Sequence, residues 1–290
     1  MSVHKTIRNV GVLGVGLIGG SFALALRQAW PTINVIGLAR DPAKLAAAQA
    51  AGVVQTVRPI VPASVADLDV LLLAAPVSAT QAVLEQVVSG LRADVVICDA
   101  GSTKEDVDAA ARAALGDVYP RFVPAHPIAG SEQSGWQAAQ ANLFVGRRVI
   151  LTPTAETAAD ALTTVQQLWE QCGAQVSQLG LHEHDAVFAQ VSHFPHLLAY
   201  AYMQQIVQSE QADTLLTQAG TGFRDFTRIA ASDPKMWADI CHANRHNLQQ
   251  SVKAFQASLQ TLLTHLEGDD PSALEKSLAE ISRARRAWHL

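Results

Sequence analysis

His126 opens residues 126–135, HPIAGSEQSG, directly after the apolar run RFVPA. That run reads as a buried strand, which sets an imidazole in a Pro/Gly loop at a strand's carboxyl end, where open α/β sheets hold their ligands. An imidazole there can move a proton near neutral pH. Alone, a loop histidine hydrogen-bonded to backbone is the commoner case, so other residues have to decide. Three further clusters carry polar groups that a core does not choose. They are Asp99-Ala-Gly-Ser-Thr-Lys104, then His184-Asp185 with Ser192-His193-Phe194-Pro195-His196, and finally residues 222–230, GFRDFTRIA, with Arg224 and Arg228 four apart on one helical face. Histidines beside a proline raise the question of a metal. No close carboxylate or cysteine completes a ligand set, and none is expected.

A second chemistry lies near the N-terminus. Gly14-Val15-Gly16-Leu17-Ile18-Gly19-Gly20 follows the first aliphatic run and opens a helix, the context that G-x-G-x-x-G needs to bind a dinucleotide. Gly14 permits the tight turn, Gly16 lets a pyrophosphate approach the backbone, and Gly19 lets helix and strand pack closely. The helix start at Leu17 and Ile18 offers amides to the phosphates. The second strand ends at Ala39, where an acidic residue would hold a ribose 2′-hydroxyl for NAD. Arg40 follows, and its guanidinium suits a 2′-phosphate, so NADP is favoured over NAD.

These residues need a scaffold, and its pattern is legible. Aliphatic runs at 9–13, 34–38, 69–74, 94–98 and 121–123 alternate with Ala-rich helical stretches, which implies a doubly wound α/β domain with a parallel sheet. Residues 147–152 and 174–179 read as further strands around a helix near 156–171, closing a dinucleotide-binding domain at 1–180. From 181 strand signals vanish, so 181–290 is expected to be an all-helical substrate and dimerisation domain. Its first helix, about 181–209, should bend at Pro195, and Asp233-Pro234 looks like a helix start. With a net charge of -5 and scattered Lys and Arg, no basic stripe suits a nucleic acid. The three cysteines are far apart in apolar or helical surroundings, which fits a reducing cytoplasm. The longest charge-free apolar run, 70–77, is too short to span a bilayer.

Taken in order, GLIGGS, DAGSTK, HPIAGSE, the HD and SHFPH pair, and GFRDFTRIA resemble the prephenate/arogenate (cyclohexadienyl) dehydrogenases of tyrosine biosynthesis, over about residues 10–245. The resemblance implies a Rossmann-type domain followed by a helical one. It also implies an oxidative decarboxylation of a cyclohexadienol, in which hydride leaves the hydroxyl-bearing ring carbon for nicotinamide and the ring carboxylate leaves as carbon dioxide. His126 matches the residue that accepts the hydroxyl proton, and Ser102 matches the serine that orients it. Arg228 matches the arginine that clamps a substrate carboxylate. Arg224 stands where some relatives carry lysine. His184 and His196 match positions that line the substrate pocket, Ser192 lies four residues before His196 on one helical face if the helix persists through its bend, and Glu132 is placed to hold loop amides. A homodimer through the helical domain is implied as well.

Two other functions bear comparison. A β-hydroxyacid dehydrogenase also joins a Rossmann domain to a helical one, but it relies on a lysine where this chain has histidines and arginines. An NADP-sensing regulator would not need Ser102, His126 and Arg228 together. No residue in the sequence decides between prephenate and arogenate.

Overall fold

The computed structural model describes residues 7–130, 133–268 and 270–288. Glu132 lies outside the described residues. Strands β1 (Asn9–Leu13), β2 (Asn34–Ala39), β3 (Thr56–Pro59), β4 (Val70–Leu73), β5 (Val96–Asp99) and β6 (Phe122–Val123) form one sheet in the order β3-β2-β1-β4-β5-β6, with every neighbouring pair parallel. The order reverses between β1 and β4, which opens a crevice at their carboxyl ends. Successive residues of β1, β4 and β5 enter opposite cores, which is why these strands are aliphatic throughout rather than alternating. Val10, Val12, Val70, Leu72 and Cys98 pack with α1 (Leu17–Ala29) and α5 (Ala159–Gln171) through Phe22, Leu26, Leu168 and Trp169. Leu13, Leu71, Leu73 and Ile97 pack with α3 (Thr80–Val87) and α4 (Glu105–Leu115) through Leu84, Val107 and Ala111. A short α2 (Ala46–Ala50) precedes β3. The sequence pattern did not show β3: it is a half-exposed edge strand ending in a proline, which an edge tolerates.

The run RFVPA does not continue as one strand. Pro124 has no amide to donate, so β6 stops at Val123 and the chain steps into a second sheet. That sheet is β7 (Ala125–Pro127), β8 (Arg148–Leu151) and β9 (Gln175–Gln178), with β7 antiparallel and β9 parallel to β8. His126 is therefore the middle residue of β7, paired with Ile150, and not the first residue of a loop. The correction matters because a ladder fixes its backbone better than a loop would.

After β9 the described elements are helical. The single bent helix expected at 181–209 is instead α6 (Leu181–Phe188), a π-helical turn Ala189–His193, and α7 (Phe194–Val207). Pro195 cannot donate to a carbonyl one turn back, and the widened turn before it absorbs the loss; such turns recur at functional sites. Next come α8 (Ala212–Thr217), α9 (Thr221–Thr227), a 3₁₀ turn Arg228–Ala231 and α10 (Pro234–Ala243), which Asp233 caps by accepting from the Met236 amide at 2.7 Å. By packing density the chain forms two compact units, 1–244 and 245–290. The second is α11 (Arg245–Glu267) and α12 (Ser272–Ala287), joined by a 3.1 Å contact between Ser277 Oγ and His265 Nδ1. This division by packing falls later than the one by element type at 180/181.

Candidate active site

The turn after β1 gives each glycine its own reason. Gly14 has φ +94°, and a Cβ there would stand 2.4 Å from the Ala74 carbonyl oxygen. A Cβ on Gly19 would stand 2.1 Å from the Gly14 carbonyl oxygen, so α1 can lie against β1 only with glycine at that position. Gly16 differs: apart from its own chain neighbours, no atom of the described residues lies within 4 Å of where its Cβ would be. No described residue requires glycine there, whereas a pyrophosphate laid against the backbone would. Gly16 is also the N-cap of α1 and supplies no side-chain acceptor, which leaves the first amides, Leu17 and Ile18 among them, available to an anion. The cradle fits a dinucleotide. At the rim, Ala39 ends β2 and Arg40 is exposed. Asp41 turns its carboxylate to the Ala43 amide at 3.1 Å, and among the described residues no carboxylate pairs with Arg40.

At the neighbouring strand ends, a buried clamp fixes the residue before His126. Asp99, the last residue of β5, accepts from the Ala125 amide at 2.9 Å and the Gly101 amide at 2.7 Å, and pairs with Lys104. The Lys104 ammonium also donates to the Ala125 carbonyl at 2.7 Å. Both backbone groups of Ala125 are thus held by a fully buried ion pair. In the sequence Asp99 reads equally as a capping or a functional carboxylate, and Lys104 as a helix-start residue that caps or faces the cofactor; their adjacency to a strand end was the available signal.

Three side chains then line up behind His126. His126 Nδ1 lies 2.9 Å from His184 Nε2, and His184 Nδ1 lies 2.8 Å from Asp185 Oδ1. Asp185 in turn accepts the backbone amides of Lys104 and Glu105, both at 2.9 Å, and so caps α4 from α6. Phe188 packs on both imidazoles, with centroids 4.8 Å from His126 and 4.4 Å from His184. Burial pushes the His126 imidazole well below its ordinary value, with His184, Lys104 and His193 acting in the same direction. This imidazole is neutral at pH 7. Burial also lowers His184, against its hydrogen bond to Asp185. For Asp185, burial favours the neutral acid, but hydrogen bonds from His184 and the two amides outweigh it and hold the carboxyl below the usual range.

Two of the expected site residues lie around this line. Ser102 is half-buried in the turn before α4, and the partner of His126 Nδ1 is His184. His184 itself is 0% exposed with both ring nitrogens engaged.

His193 and His196 face the other way along the π-helical turn. Asn244 Nδ2 donates to the Asp185 carbonyl at 2.8 Å and lies 3.0 Å from His193 Nδ1. The carbonyl can only accept, so the amide is the donor to His193 as well. His193 Nδ1 is then the acceptor; burial lowers this imidazole to about 4, against the pull of Asp185. His196 Nδ1 donates to the Ser192 carbonyl at 3.0 Å, which leaves Nε2 as its free acceptor, and its ring stacks on Trp237 at 3.6 Å. Ser192 thus meets His196 through its backbone. Burial lowers His196, against its hydrogen bond to the Ser192 backbone, and the charge of Arg228 acts in the same direction as burial. Arg224 is not in that group: it lines a groove of about 560 Å³ with Tyr200, Met203, Leu216 and Phe223, which none of the site histidines lines. Asn244 and Trp237 were not singled out from the sequence, because nothing local marks a residue whose partners lie tens of positions away. Among the described residues no group of His, Cys, Asp and Glu could hold a metal ion, and no helix is long and apolar enough to cross a membrane.

Known proteins share this organisation. The family model described as prephenate dehydrogenase, nucleotide-binding domain, matches residues 22–178, and that described as prephenate dehydrogenase, dimerization domain, matches residues 181–280. The chain is 33% identical over 291 residues to a cyclohexadienyl dehydrogenase of Zymomonas mobilis, covering 99% of this chain and 97% of that protein. It is 35% identical over 263 residues to a prephenate dehydrogenase of Bacillus subtilis, covering 90% and 71%. The solved structure of prephenate dehydrogenase from A. aeolicus in complex with hydroxyphenyl propionate and NAD+ superposes with a TM-score of 0.91 at 34% identity, over 98% of this chain and 99% of that one. With a parallel nucleotide-binding sheet, a helical C-terminal part and likeness over nearly its whole length, this chain belongs to the prephenate dehydrogenase family.

Proposed function

We propose that the protein catalyses the oxidative decarboxylation of prephenate, arogenate or both in tyrosine biosynthesis, and that it favours NADP over NAD. The observation that carries this reading is a neutral, buried imidazole, His126, fixed on a strand where the nucleotide-binding sheet presents its carboxyl ends. The dinucleotide, held by Gly14, Gly16, Leu17, Ile18 and Gly19, supplies the hydride acceptor. His126 takes the proton of the ring hydroxyl, and the negative charge that builds on that oxygen eases hydride loss from the same carbon. Arg228 binds a substrate carboxylate beside His196, where an always-charged, bidentate donor suits a dianion. Ser102 supplies a hydroxyl at the same edge, Ser192 and His196 shape the substrate side, and Arg224 adds positive charge from the neighbouring groove.

Arg40 supports the nucleotide preference: it is exposed at the end of β2, and no acidic side chain stands at position 39 to hold a 2′-hydroxyl. We assign residues 1–180 to nucleotide binding and 181–290 to substrate binding and to a homodimer, working in the cytoplasm. Steady-state kinetics with prephenate and with arogenate, each with NAD+ and NADP+, tests the whole reading. Turnover of at least one cyclohexadienol, with the higher kcat/KM for NADP+, is the expected result. No turnover of either overturns the activity, and a higher kcat/KM with NAD+ overturns the nucleotide assignment.

A further inference from the structure

The line of side chains behind His126 carries an inference beyond the base itself, and it rests on the activity proposed above. The Asp185 carboxylate can only accept hydrogen bonds, so the His184 nitrogen 2.8 Å from it, Nδ1, must carry the proton. A neutral imidazole has one N–H, so His184 Nε2 is bare and acts as acceptor toward His126 Nδ1 at 2.9 Å. His126 then carries its own proton on Nδ1, and its Nε2 is bare. The opposite arrangement would set a lone pair of His184 against a carboxylate in a place with no exposure. We propose that Asp185 and His184 are a positioning pair that fixes the tautomer of His126 with Nε2 free for the substrate hydroxyl, and that they stabilise the imidazolium while it holds the borrowed proton.

Burial of this pair matches the stoichiometry. The hydroxyl proton passes to His126 Nε2, and the C–H of the same carbon leaves as hydride to nicotinamide. The bond from ring to carboxylate breaks to release carbon dioxide, and its electron pair enters the ring. The oxygen, now a phenolate, takes the proton back from His126 and becomes a phenol. Protons and charge balance without any exchange with solvent, so the base never has to deliver a proton to water. A relay in which His126 is 8%, His184 0% and Asp185 2% exposed suits that cycle. Among the described residues, the other charged or titratable groups acting on the two imidazoles are Asp99 at the end of β5, Lys104 before α4 and His193 from the π-helical turn. Lys104 is neutralised by Asp99, which leaves the Asp185 carboxylate as the charge in line with the pair. Because α4 donates two amides to it, that carboxylate sits at a helix N-terminus, where negative charge is favoured.

Nitrogen-15 NMR of histidine-labelled wild type, with His126 assigned by its loss in His126→Gln, reads the tautomer without any turnover. A protonated Nδ1 and bare Nε2 are expected, and the reverse overturns the proposal. His184→Phe keeps a ring against Phe188 but removes the acceptor. It should lower kcat on the order of 100-fold while KM and nucleotide affinity change by less than about threefold. His184→Gln restores an acceptor and should recover most of kcat. Wild-type kcat in His184→Phe, or equal losses in the two variants, overturns the pair's role. A wild-type protein that turns over neither cyclohexadienol sinks the proposed activity instead, and the tautomer measurement still judges the pair.

Discussion

The Lys104 ammonium donates to the carbonyl of Ala125 at 2.7 Å, and Ala125 directly precedes His126 in β7. Lys104 is fully buried and its charge is met by Asp99, which holds the amide of the same alanine. Replacing the ammonium by a chain of similar length therefore leaves a buried carboxylate without its cation. Lys104→Met should lose roughly 3–5 kcal/mol of stability, and the double variant Lys104→Met/Asp99→Asn should recover part of it because no charge is then stranded. Urea unfolding of the three proteins measures this. A single variant as stable as wild type would show that the pair does not matter to the fold.

Gly14 and Gly16 lie two residues apart yet should fail differently. Gly14→Ala forces a Cβ onto a left-handed residue 2.4 Å from the Ala74 carbonyl and should lower Tm. Gly16→Ala meets open space, so Tm should hold while the dinucleotide is pushed away, with Kd rising by about tenfold or more, equivalent to about 1.4 kcal/mol. Thermal melts beside nucleotide titrations separate the two. Unchanged nucleotide affinity in a folded Gly16→Ala would show that the pyrophosphate does not need a bare backbone at that position.

How much of this could be seen in the chain beforehand follows from the range of each signal. The parallel sheet was legible because strands buried on both faces must be aliphatic throughout, and the glycine turn because its spacing is local. The half-exposed β3 has no such run, and the break at Pro124 was hidden because RFVPA looks apolar from end to end. In the site, motif and resemblance single out His126, Arg228 and His196 as candidates. The link from His126 to His184 spans 58 positions and that from Lys104 to Asp185 spans 81, so only the fold reveals them. A histidine that lines a pocket and one that stands behind another histidine look alike in sequence.

Arg228 and Arg224 should separate in kinetics. Arg228 stands by His196, so Arg228→Ala removes a charge-assisted contact worth about 1.5–3 kcal/mol and should raise KM roughly 10- to 100-fold. Arg224 is largely exposed and lines a groove that none of the site histidines lines, so Arg224→Ala should raise KM by less than about fivefold through lost long-range charge. Added salt should narrow the gap between Arg224→Ala and wild type but not that of Arg228→Ala. Equal effects at both positions would place the two guanidinium groups on the substrate together.

The buried imidazoles also make stability depend on acid in a stated direction. His126, His184, His193 and His196 all have folded values below the ordinary 6.5. In the unfolded chain each takes up a proton as pH falls past about 6.5, while in the folded chain each stays neutral to lower pH. The unfolded state therefore binds more protons in that window, and stability present above pH 6.5 is lost on acidification. His193 alone, lowered to about 4, accounts for roughly 3 kcal/mol by the time pH reaches its folded value. Urea midpoints between pH 8 and pH 4.5 should hold level down to about 6.5 and then fall. His193→Gln, which keeps an acceptor for Asn244 but cannot titrate, should flatten part of that descent. If the wild-type midpoint were constant down to pH 4.5, these imidazoles would have to take up protons in the folded protein at the same pH as in the unfolded chain, and burial would not be what keeps His126 neutral.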